Sequence, residues 1–261
     1  MENSYDSFAD DYDHFVNWPG RLAFELPFLE ETLKRAPHAP GAKPAMLDAA
    51  TGTGQHALAL AELGYQTAGA DLSAGMIARA RQNAAQQGLE VRFEVAGFGD
   101  LAQTFGRESF EAVLCLGNSL PHVLDEAGLA TALRDFAAVL RPSGLLVLQN
   151  RNFDQVLEQK ARWMEPQSAQ AGQTEWLFVR FYDFLLDGTI DFNILRLRRE
   201  AGKPWQQQVT LTRLRPLTQA ELGEALARAG FEQVEWYGGL DGSEFDRAKS
   251  GNLVVVAGKA S

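Results

Sequence analysis

The chain has 261 residues, of which 46% are apolar, and a formal net charge of −10 from 24 basic and 34 acidic residues. This length suits one α/β domain with an insertion, and the acidic balance argues against nucleic acids and anionic membranes as partners, because both bind basic surfaces. The single cysteine, Cys115, excludes an internal disulfide and a thiolate metal cluster, and no metal site is predicted. No signal peptide or long apolar span is visible, which favours a cytoplasmic protein.

Residues 1–44 form an arm ahead of the first predicted strand. An aromatic and aspartate-rich stretch is followed by the pattern of an amphipathic helix, which Pro27 is expected to bend or break. The stretch 36–44, APHAPGAKP, has the composition of a linker. We interpret this arm either as a lid over a ligand or as a packing segment that covers a sheet edge.

A glycine-rich corner follows the first strand. The apolar run Ala45–Ala50 meets Gly52 and Gly54, and an Ala/Leu helical pattern starts at Ala57. Glycines allow unusual dihedrals and a close approach of a ligand to the backbone, and the helix behind them directs its free N–H groups at that ligand. The pattern predicts a ligand-binding strand–turn–helix, although an ordinary corner without a ligand would share it.

One carboxylate separates the two ligand classes that use such a corner. GTGQHA fits the dinucleotide fingerprint, and Asp71 follows about twenty residues later, as that fingerprint requires. Asp48, at the end of the first strand, would repel a pyrophosphate. It would attract S-adenosylmethionine, which carries an ammonium and a sulfonium and no phosphate. The sequence therefore favours S-adenosylmethionine as the cofactor and keeps a nicotinamide oxidoreductase as a minor alternative.

The second and third strands supply candidate ribose and adenine contacts. A strand at 65–71 places Asp71 beside the corner of a parallel sheet, where its carboxylate can accept hydrogen bonds from ribose hydroxyls. A helix then opens with Met76, and the strand at 90–96 ends just before Phe98. Each of these two side chains is interpreted as an adenine contact or as a core residue.

The fourth and fifth strands bracket the candidate acceptor site. The apolar run 110–116 breaks into small and polar residues that include Asn118 and His122, which leaves room for a substrate at the carboxyl edge of the sheet. Asn118 is a substrate contact or a turn residue, and His122 is expected to be structural. Arg151 follows the strand at 145–149.

A buried arginine at that position needs an anionic partner, and the fork of its guanidinium matches a carboxylate. The alternative for Arg151 is a structural ion pair with Asp154 or with an acid of the arm.

Beyond residue 154 the pattern changes from alternating strands and helices to three strand-like runs with hairpin signals, which predicts a small antiparallel insertion. A capped helix and two last strands, 231–237 and 252–257, then complete a doubly wound, mostly parallel seven-stranded α/β sheet. The predicted division is an arm at 1–44, a cofactor-binding core at 45–154, a substrate cap at 155–216 and the rest of the core at 217–261.

Three motifs carry a resemblance to a known family. The D-x-A-x-G-x-G pattern that begins at Asp48 resembles the first motif of the class I S-adenosylmethionine-dependent methyltransferases. FEAVLCLGNSLPHV and RPSGLLVLQNRNFDQVL, within 110–157, resemble the glycine/sarcosine N-methyltransferases more narrowly. The resemblance implies a Rossmann-like fold and N-methylation of a small amino acid.

The same resemblance implies a set of cofactor contacts. Arg21 corresponds to the arginine that binds the cofactor carboxylate, and Asp71 to the ribose acid. Gly97 and Phe98 stand where the family has an Asn-Trp pair, so the aromatic face is kept and the amide is lost. The full predicted cofactor set is Arg21, Asp48, Ala50, Gly52, Gly54, Asp71, Leu72, Met76, Gly97, Phe98 and Leu116.

On the acceptor side, the resemblance makes Asn118 the substrate asparagine and Arg151 the arginine that binds the amino-acid carboxylate. Phe153 replaces a family tyrosine, so that hydroxyl is lost. Of the N-terminal tyrosines, Tyr5 and Tyr12 are candidates. The predicted catalytic set is Asn118, Arg151, Tyr12 and His122.

The predicted reaction is an in-line attack of a neutral amine on the cofactor methyl group, which needs alignment rather than a strong base. The acceptor is expected to be a small molecule with a carboxylate, and the chain could form a homo-oligomer. Two alternatives stay open: a methyltransferase for another small anionic metabolite with an oxygen or nitrogen acceptor, and a catalytically silent S-adenosylmethionine-binding protein.

Overall fold

The computed structural model describes residues 9–260, with side chains from Tyr12 onward. Its helices are α1 (Ala9–Phe15), α2 (Trp18–Leu33), α3 (Gln55–Glu62), α4 (Ala74–Gln87), α5 (Leu101–Phe105), α6 (Glu126–Val139), α7 (Phe153–Gln159) and α8 (Gln219–Arg228). The strands of the main sheet are β1 (Ala45–Asp48), β2 (Gln66–Asp71), β3 (Arg92–Val95), β4 (Phe110–Cys115), β5 (Leu140–Arg151), β10 (Phe231–Tyr237) and β11 (Asn252–Lys259). A second sheet contains β6 (Gln167–Ala171), β7 (Thr174–Phe184), β8 (Ile190–Glu200) and β9 (Gln206–Leu214).

The main sheet has the strand order β10-β11-β5-β4-β1-β2-β3. Only β11 runs antiparallel to its neighbours, and the other strand pairs are parallel. The predicted doubly wound, mostly parallel seven-stranded sheet is therefore confirmed. In such a sheet the ligand crevice lies outside the carboxyl ends of the strands, which here are the ends of β1, β2, β4 and β5.

Helices cover both faces of the main sheet. On one face α6 and α8 pack through Phe136 and Leu226, and on the other α2 packs through Leu29 and Leu33. Cys115, the last residue of β4, is fully buried between these layers, and burial raises the pKa of its thiol. Because β4 is buried at every position, it has the near-continuous apolar sequence of a central strand.

None of the helices between residues 9 and 260 combines the length and apolar character that a membrane crossing requires.

The second sheet is antiparallel, with the order β6-β7-β8-β9. Three strand-like runs were predicted in this region, and four strands are present. The extra strand, β6, has the sequence QSAQA and is exposed at four of its five positions. It has no apolar alternation, so only its pairing with β7 reveals it as a strand. All four strands lie inside the predicted cap at 155–216, and the division of the chain into an arm, a core and a cap stays a proposal.

A bend or a break was predicted at Pro27, and helix α2 continues through this residue, so the break is wrong. Leu29 and Leu33, both fully buried beyond the proline, anchor the second half of the helix against the main sheet. Their burial offsets the one backbone hydrogen bond that a proline removes.

Gly54, which precedes α3, cannot accept a side chain without cost. Its φ is +84°, and a Cβ placed on it would lie 2.8 Å from Phe93 Cζ and 3.0 Å from Ala80 Cβ. We expect Gly54→Ala to lower the free energy of unfolding by roughly 3 kcal/mol, since left-handed backbone costs about 1–2 kcal/mol and overpacking adds about 1–3. Urea unfolding followed by circular dichroism measures the loss.

The matched control for this variant is Gly64→Ala. Gly64 has φ +86°, and no atom of the described residues lies within 4 Å of its added Cβ. This variant carries the backbone cost without the clash, so it should lose only about 1–2 kcal/mol. Equal losses in the two variants would contradict the steric argument for Gly54.

Candidate active site

The carboxylate of Asp71 ties together the carboxyl ends of β1 and β2. Its Oδ2 accepts a hydrogen bond from Gly52 N, and its Oδ1 accepts one from Ser73 N, each at 2.9 Å. Gly52 has φ +54°, a conformation that glycine adopts freely. The acid predicted to bind ribose thus has a fixed orientation at the predicted corner.

Asp48 is buried at the end of β1, with 1% of its surface exposed. Its Oδ2 accepts a hydrogen bond from Thr51 Oγ1 at 2.9 Å, but no described residue donates to Oδ1. Burial raises the pKa of Asp48, against the lowering effect of His56, Thr51 and other neighbours. A buried carboxylate oxygen without a donor fits a cationic ligand, and the donor set therefore fits S-adenosylmethionine better than a diphosphate.

Arg21, predicted to bind the cofactor carboxylate, belongs to a buried network. Its Nε donates to both carboxylate oxygens of Glu25, at 3.0 and 3.1 Å, and His56 Nε2 lies 2.6 Å from Glu25 Oε2. The ring of Trp18 lies 5.2 Å from the Arg21 guanidinium. Burial raises the pKa of Glu25, but His56 and Arg21 outweigh it, so the net pKa is lowered. Glu25 thus fixes the Arg21 guanidinium through its Nε, and the terminal nitrogens of Arg21 are the groups that a ligand carboxylate could contact.

Sequence reasoning missed Glu25 and His56. The spacing of Arg21 and Glu25 by four residues is a helix-pair signal, so this half of the network could have been found. His56 lies 31 residues from Glu25, and no local pattern joins them.

Helix α1 lies over the glycine corner. Asp13 accepts hydrogen bonds from Thr53 Oγ1 at 2.7 Å, from Arg79 Nε at 2.9 Å and from Asn83 Nδ2 at 3.3 Å. The ring of Tyr12 lies 3.9 Å from the position of a Cβ on Gly52. The arm therefore covers the corner, as the lid interpretation requires, and whether it moves stays a prediction.

Tyr12 stands between the two halves of the candidate site. Burial raises the pKa of its hydroxyl, and the charges that act on it include Arg21 and Asp71 on the cofactor side and Arg180 on the antiparallel sheet. Tyr5, the other candidate tyrosine, lies outside the described residues.

Asn118 and Arg151 meet at the carboxyl ends of β4 and β5. Asn118 has φ +65°, and its Oδ1 accepts a hydrogen bond from Arg151 N at 2.9 Å. This contact sets the direction of the strand end that carries Arg151. The predicted substrate asparagine is thus also a turn residue, and its Nδ2 is the group left for a substrate.

The structural alternative for Arg151 was an ion pair with Asp154 or with an acid of the arm. Its guanidinium does not pair with Asp154 or with Asp13, and the side chains of the earlier arm acids lie outside the described residues. Asp154 instead accepts from Arg247 Nε at 2.9 Å and from Gln219 N at 2.8 Å. The Nε of Arg151 is buried without a hydrogen-bond partner among the described residues. The Tyr182 side chain hydrogen-bonds with the guanidinium, and burial raises the pKa of Tyr182 to about 12 against the opposing effects of Arg151 and Arg180.

The remaining predicted cofactor contacts differ in how far their side chains are exposed near the glycine corner. Leu72 is 68% exposed, and its Cδ1 lies 3.1 Å from the position of a Cβ on Gly97, so these two residues border one surface. Met76 is buried in α4, and the Phe98 ring packs edge-on against Phe136 at 5.2 Å. Both side chains thus have core contacts, and their contact with adenine stays a prediction. Ala50 lies partly buried beyond β1, and Leu116 lies buried beyond β4.

His122 is half-buried in a short 3₁₀ helix (Leu120–His122), where its Nδ1 lies 3.1 Å from Thr212 Oγ1. Burial lowers the pKa of His122 from 6.5 to about 4. The unfolded chain takes up a proton near pH 6.5 and the folded chain does so only near pH 4. Stability that is present above pH 6.5 is therefore lost as the pH falls, by roughly 3 kcal/mol in all.

We expect His122→Gln, which keeps a hydrogen-bonding side chain, to remove this part of the acid sensitivity. Free energies of unfolding from urea titrations at pH 7 and pH 4.5 would differ less in the variant than in the wild type, by roughly 2–3 kcal/mol. Parallel stability curves for the two proteins would contradict the assignment.

Comparisons with known proteins agree with this geometry. Residues 46–144 match the family model described as a methyltransferase domain. The glycine/sarcosine N-methyltransferase of Aphanothece halophytica is 36% identical over 159 residues, which cover 60% of this chain and 58% of that protein. The glycine N-methyltransferase of Rattus norvegicus is 34% identical over 122 residues, 43% of this chain and 42% of that protein. The chain spans about half the length of the curated relatives it matches.

Solved structures match the chain along nearly its whole length. Streptomyces venezuelae DesVI aligns with a TM-score of 0.77 at 23% identity, over 97% of this chain and 98% of that one. An S-adenosylmethionine-dependent methyltransferase from Clostridium acetobutylicum aligns with a TM-score of 0.75 at 16% identity, over 99% and 100%. At these identities the structures establish the shared fold alone. The predicted resemblance to class I methyltransferases, and to the glycine/sarcosine N-methyltransferases among them, is confirmed.

Proposed function

We propose that this chain, which carries a methyltransferase domain at residues 46–144 and the class I methyltransferase fold, transfers a methyl group from S-adenosylmethionine to the amine of a small amino acid. The observation that carries the proposal is Arg151, a guanidinium with a buried, unpartnered Nε at the carboxyl edge of the sheet. A planar fork in that setting matches a carboxylate. The relatives named as glycine/sarcosine and glycine N-methyltransferases support the same class of acceptor.

On the cofactor side, three charged residues would hold the ligand. Asp71 would accept hydrogen bonds from the ribose hydroxyls, Arg21 would bind the carboxylate, and Asp48 would compensate the positive charge. When bound, S-adenosylmethionine supplies a methyl group that its sulfonium already activates. The chain therefore contributes alignment of the two reactants, which lowers the barrier by fixing their distance and direction before the bond forms.

On the acceptor side, Arg151 holds the carboxylate while Asn118 Nδ2 and the Tyr12 hydroxyl orient the amine. The amine is delivered neutral, so no strong base is needed, and His122, whose pKa burial lowers to about 4, stays uncharged at neutral pH. The Tyr12 ring lies over the glycine corner, 3.9 Å from the position of a Cβ on Gly52, which supports placing its hydroxyl beside the methyl group of a bound cofactor.

A radiolabelled-methyl assay over a panel of amino acids tests the proposal. We expect transfer to at least one small amino acid and none to the matching amine without a carboxylate, such as ethanolamine in place of glycine. Transfer to the carboxylate-free amines at equal rates would point to another metabolite as the acceptor. Binding of S-adenosylhomocysteine without transfer to any compound would favour a silent binding protein.

A further inference from the structure

The antiparallel sheet turns an arginine toward the candidate site. Trp176, Phe178, Arg180 and Tyr182 occupy alternate positions of β7 and therefore share one face of the sheet. Helix α1 packs on this face, where the Phe15 ring lies 5.1 Å from the Phe178 ring. The Arg180 guanidinium carbon lies 5.0 Å from the centre of the same Phe15 ring. Arg180 thus faces α1, on the side that looks toward the main sheet.

Arg180 and Arg151 act on each other although they come from different sheets. Burial is the first cause that lowers the pKa of Arg180, and the positive charge of Arg151 is the second. Tyr182 shares one face of β7 with Arg180 and hydrogen-bonds with the Arg151 side chain, and its ring lies 6.3 Å from the ring of Phe153, two residues after Arg151. Tyr12, which stands over the glycine corner, is among the groups that act on Arg180. The two arginines therefore belong to one pocket, next to the place assigned to the acceptor amine.

Neither arginine of this pocket has an acidic partner. Within residues 12–260 no carboxylate lies within 4 Å of either guanidinium, and both Nε atoms are buried without a hydrogen-bond partner. Other arginines at this sheet are paired: Arg162 with Asp183 at 2.6 Å, and Arg213 with Asp191 at 2.5 Å. The Phe15 ring offers Arg180 a cation–π contact but no acceptor for its N–H groups.

Two neighbouring half-buried guanidiniums, each with a fully buried Nε and no counter-charge among the described residues, are costly in the free protein, and a ligand with two negative charges relieves that cost. A monoanionic amino acid such as glycine would neutralise only one of them. We propose that the acceptor amino acid carries a second anionic group, a carboxylate or a phosphate, and that Arg180 binds it while Arg151 binds the α-carboxylate. This inference rests on the proposed function and narrows its substrate class to dianionic amino acids.

Pairs of acceptors that differ in one charge test the inference. The values of kcat/KM are compared for aspartate against asparagine and for phosphoserine against serine. In the wild type we expect a preference of roughly 30-fold or more for the dianion in at least one pair, from the strength of a charge-assisted hydrogen bond. The first pair identifies a carboxylate as the second group, and the other pair identifies a phosphate.

Variants of Arg180 assign that preference to its guanidinium. Arg180→Met should reduce the preference to within about threefold, and Arg180→Lys, which keeps the charge without the fork, should retain part of it. Arg199→Met is the matched control, because Arg199 lies on the same sheet, is exposed and pairs with Glu175. This control should keep the wild-type ratio. A full preference in Arg180→Met would overturn the proposal.

Calorimetry without turnover separates this inference from the proposed function. In the presence of S-adenosylhomocysteine, succinate should bind the wild type at least about 10-fold more tightly than acetate, and Arg180→Met should remove the difference. If no amino acid is methylated and this difference is still found, the proposed function fails and the two-anion pocket stands. Equal binding of succinate and acetate overturns the inference, whatever the assay of transfer shows.

Discussion

Replacing Arg151 by alanine should raise the KM for the amino-acid acceptor by roughly 100-fold or more and leave the Kd of the cofactor within about twofold. Among residues 12–260 the guanidinium pairs with no acid, and it hydrogen-bonds with the Tyr182 side chain. Its loss therefore removes the positive charge proposed to bind the acceptor carboxylate and no ion pair within the described residues. Steady-state kinetics with a labelled methyl group give the KM, and calorimetry with S-adenosylhomocysteine gives the Kd.

Two further variants bracket this result. Arg151→Lys keeps the charge but loses the bidentate fork, so its KM should lie between those of the wild type and the alanine variant. Arg134→Ala removes an exposed arginine of α6 that donates only to the backbone carbonyl of Ala130, and it should change neither constant. An acceptor KM that Arg151→Ala leaves unaltered would remove the amino acid from the proposal.

Replacing Asp71 by alanine should weaken the binding of S-adenosylhomocysteine by roughly 100-fold, since a charge-assisted hydrogen bond contributes about 1.5–3 kcal/mol. The variant loses the carboxylate proposed to accept hydrogen bonds from the ribose hydroxyls. It also loses the bonds from Gly52 N and Ser73 N that orient the corner. Calorimetry measures the change, and the midpoint of thermal unfolding without ligand shows whether the corner alone has been loosened.

Two further variants serve as controls for the loss of cofactor affinity in Asp71→Ala. Asp71→Asn keeps the shape but turns an amide N–H toward one of the two backbone donors, so it should lose most of the affinity as well. Asp100→Asn changes an exposed acid beyond β3 that forms no cap with its side chain, and its affinity should equal that of the wild type. Retention of full affinity in Asp71→Ala would leave the cofactor assignment without support.

The main sheet could be predicted because local sequence determines most of it. Strands buried on both faces must be apolar throughout, and β4 shows this at every position. The positions of Asp48, Asp71 and Arg151 followed from the same logic, because each of them directly ends a strand of a parallel sheet. The carboxyl ends of such strands meet at one edge, so the order of strands along the chain was sufficient to bring these residues together.

Features that depend on distant partners could not be predicted in this way. Strand β6 exists because β7 pairs with it, since its own residues carry no apolar alternation. Arg180 is one of several arginines in the antiparallel sheet, and only its contact with Phe15 of α1 distinguishes it from the exposed Arg199 of β8. Asn118 is a third case. Its backbone adopts the turn conformation that the sequence pattern predicted, and its side chain also contacts Arg151 at the predicted acceptor site.

The isolation of the chain's one thiol has a practical consequence for studying the arm. Cys115 is sealed at the end of β4, and burial holds its pKa above the ordinary value, so alkylating reagents at neutral pH have no thiolate to attack. A cysteine introduced at exposed His14, whose ring stacks on Trp176 at 4.2 Å, would be the sole reactive site for a fluorophore. The wild-type sequence thus already provides the background for single-position labelling, and quenching by Trp176 would report the distance between the arm and the antiparallel sheet.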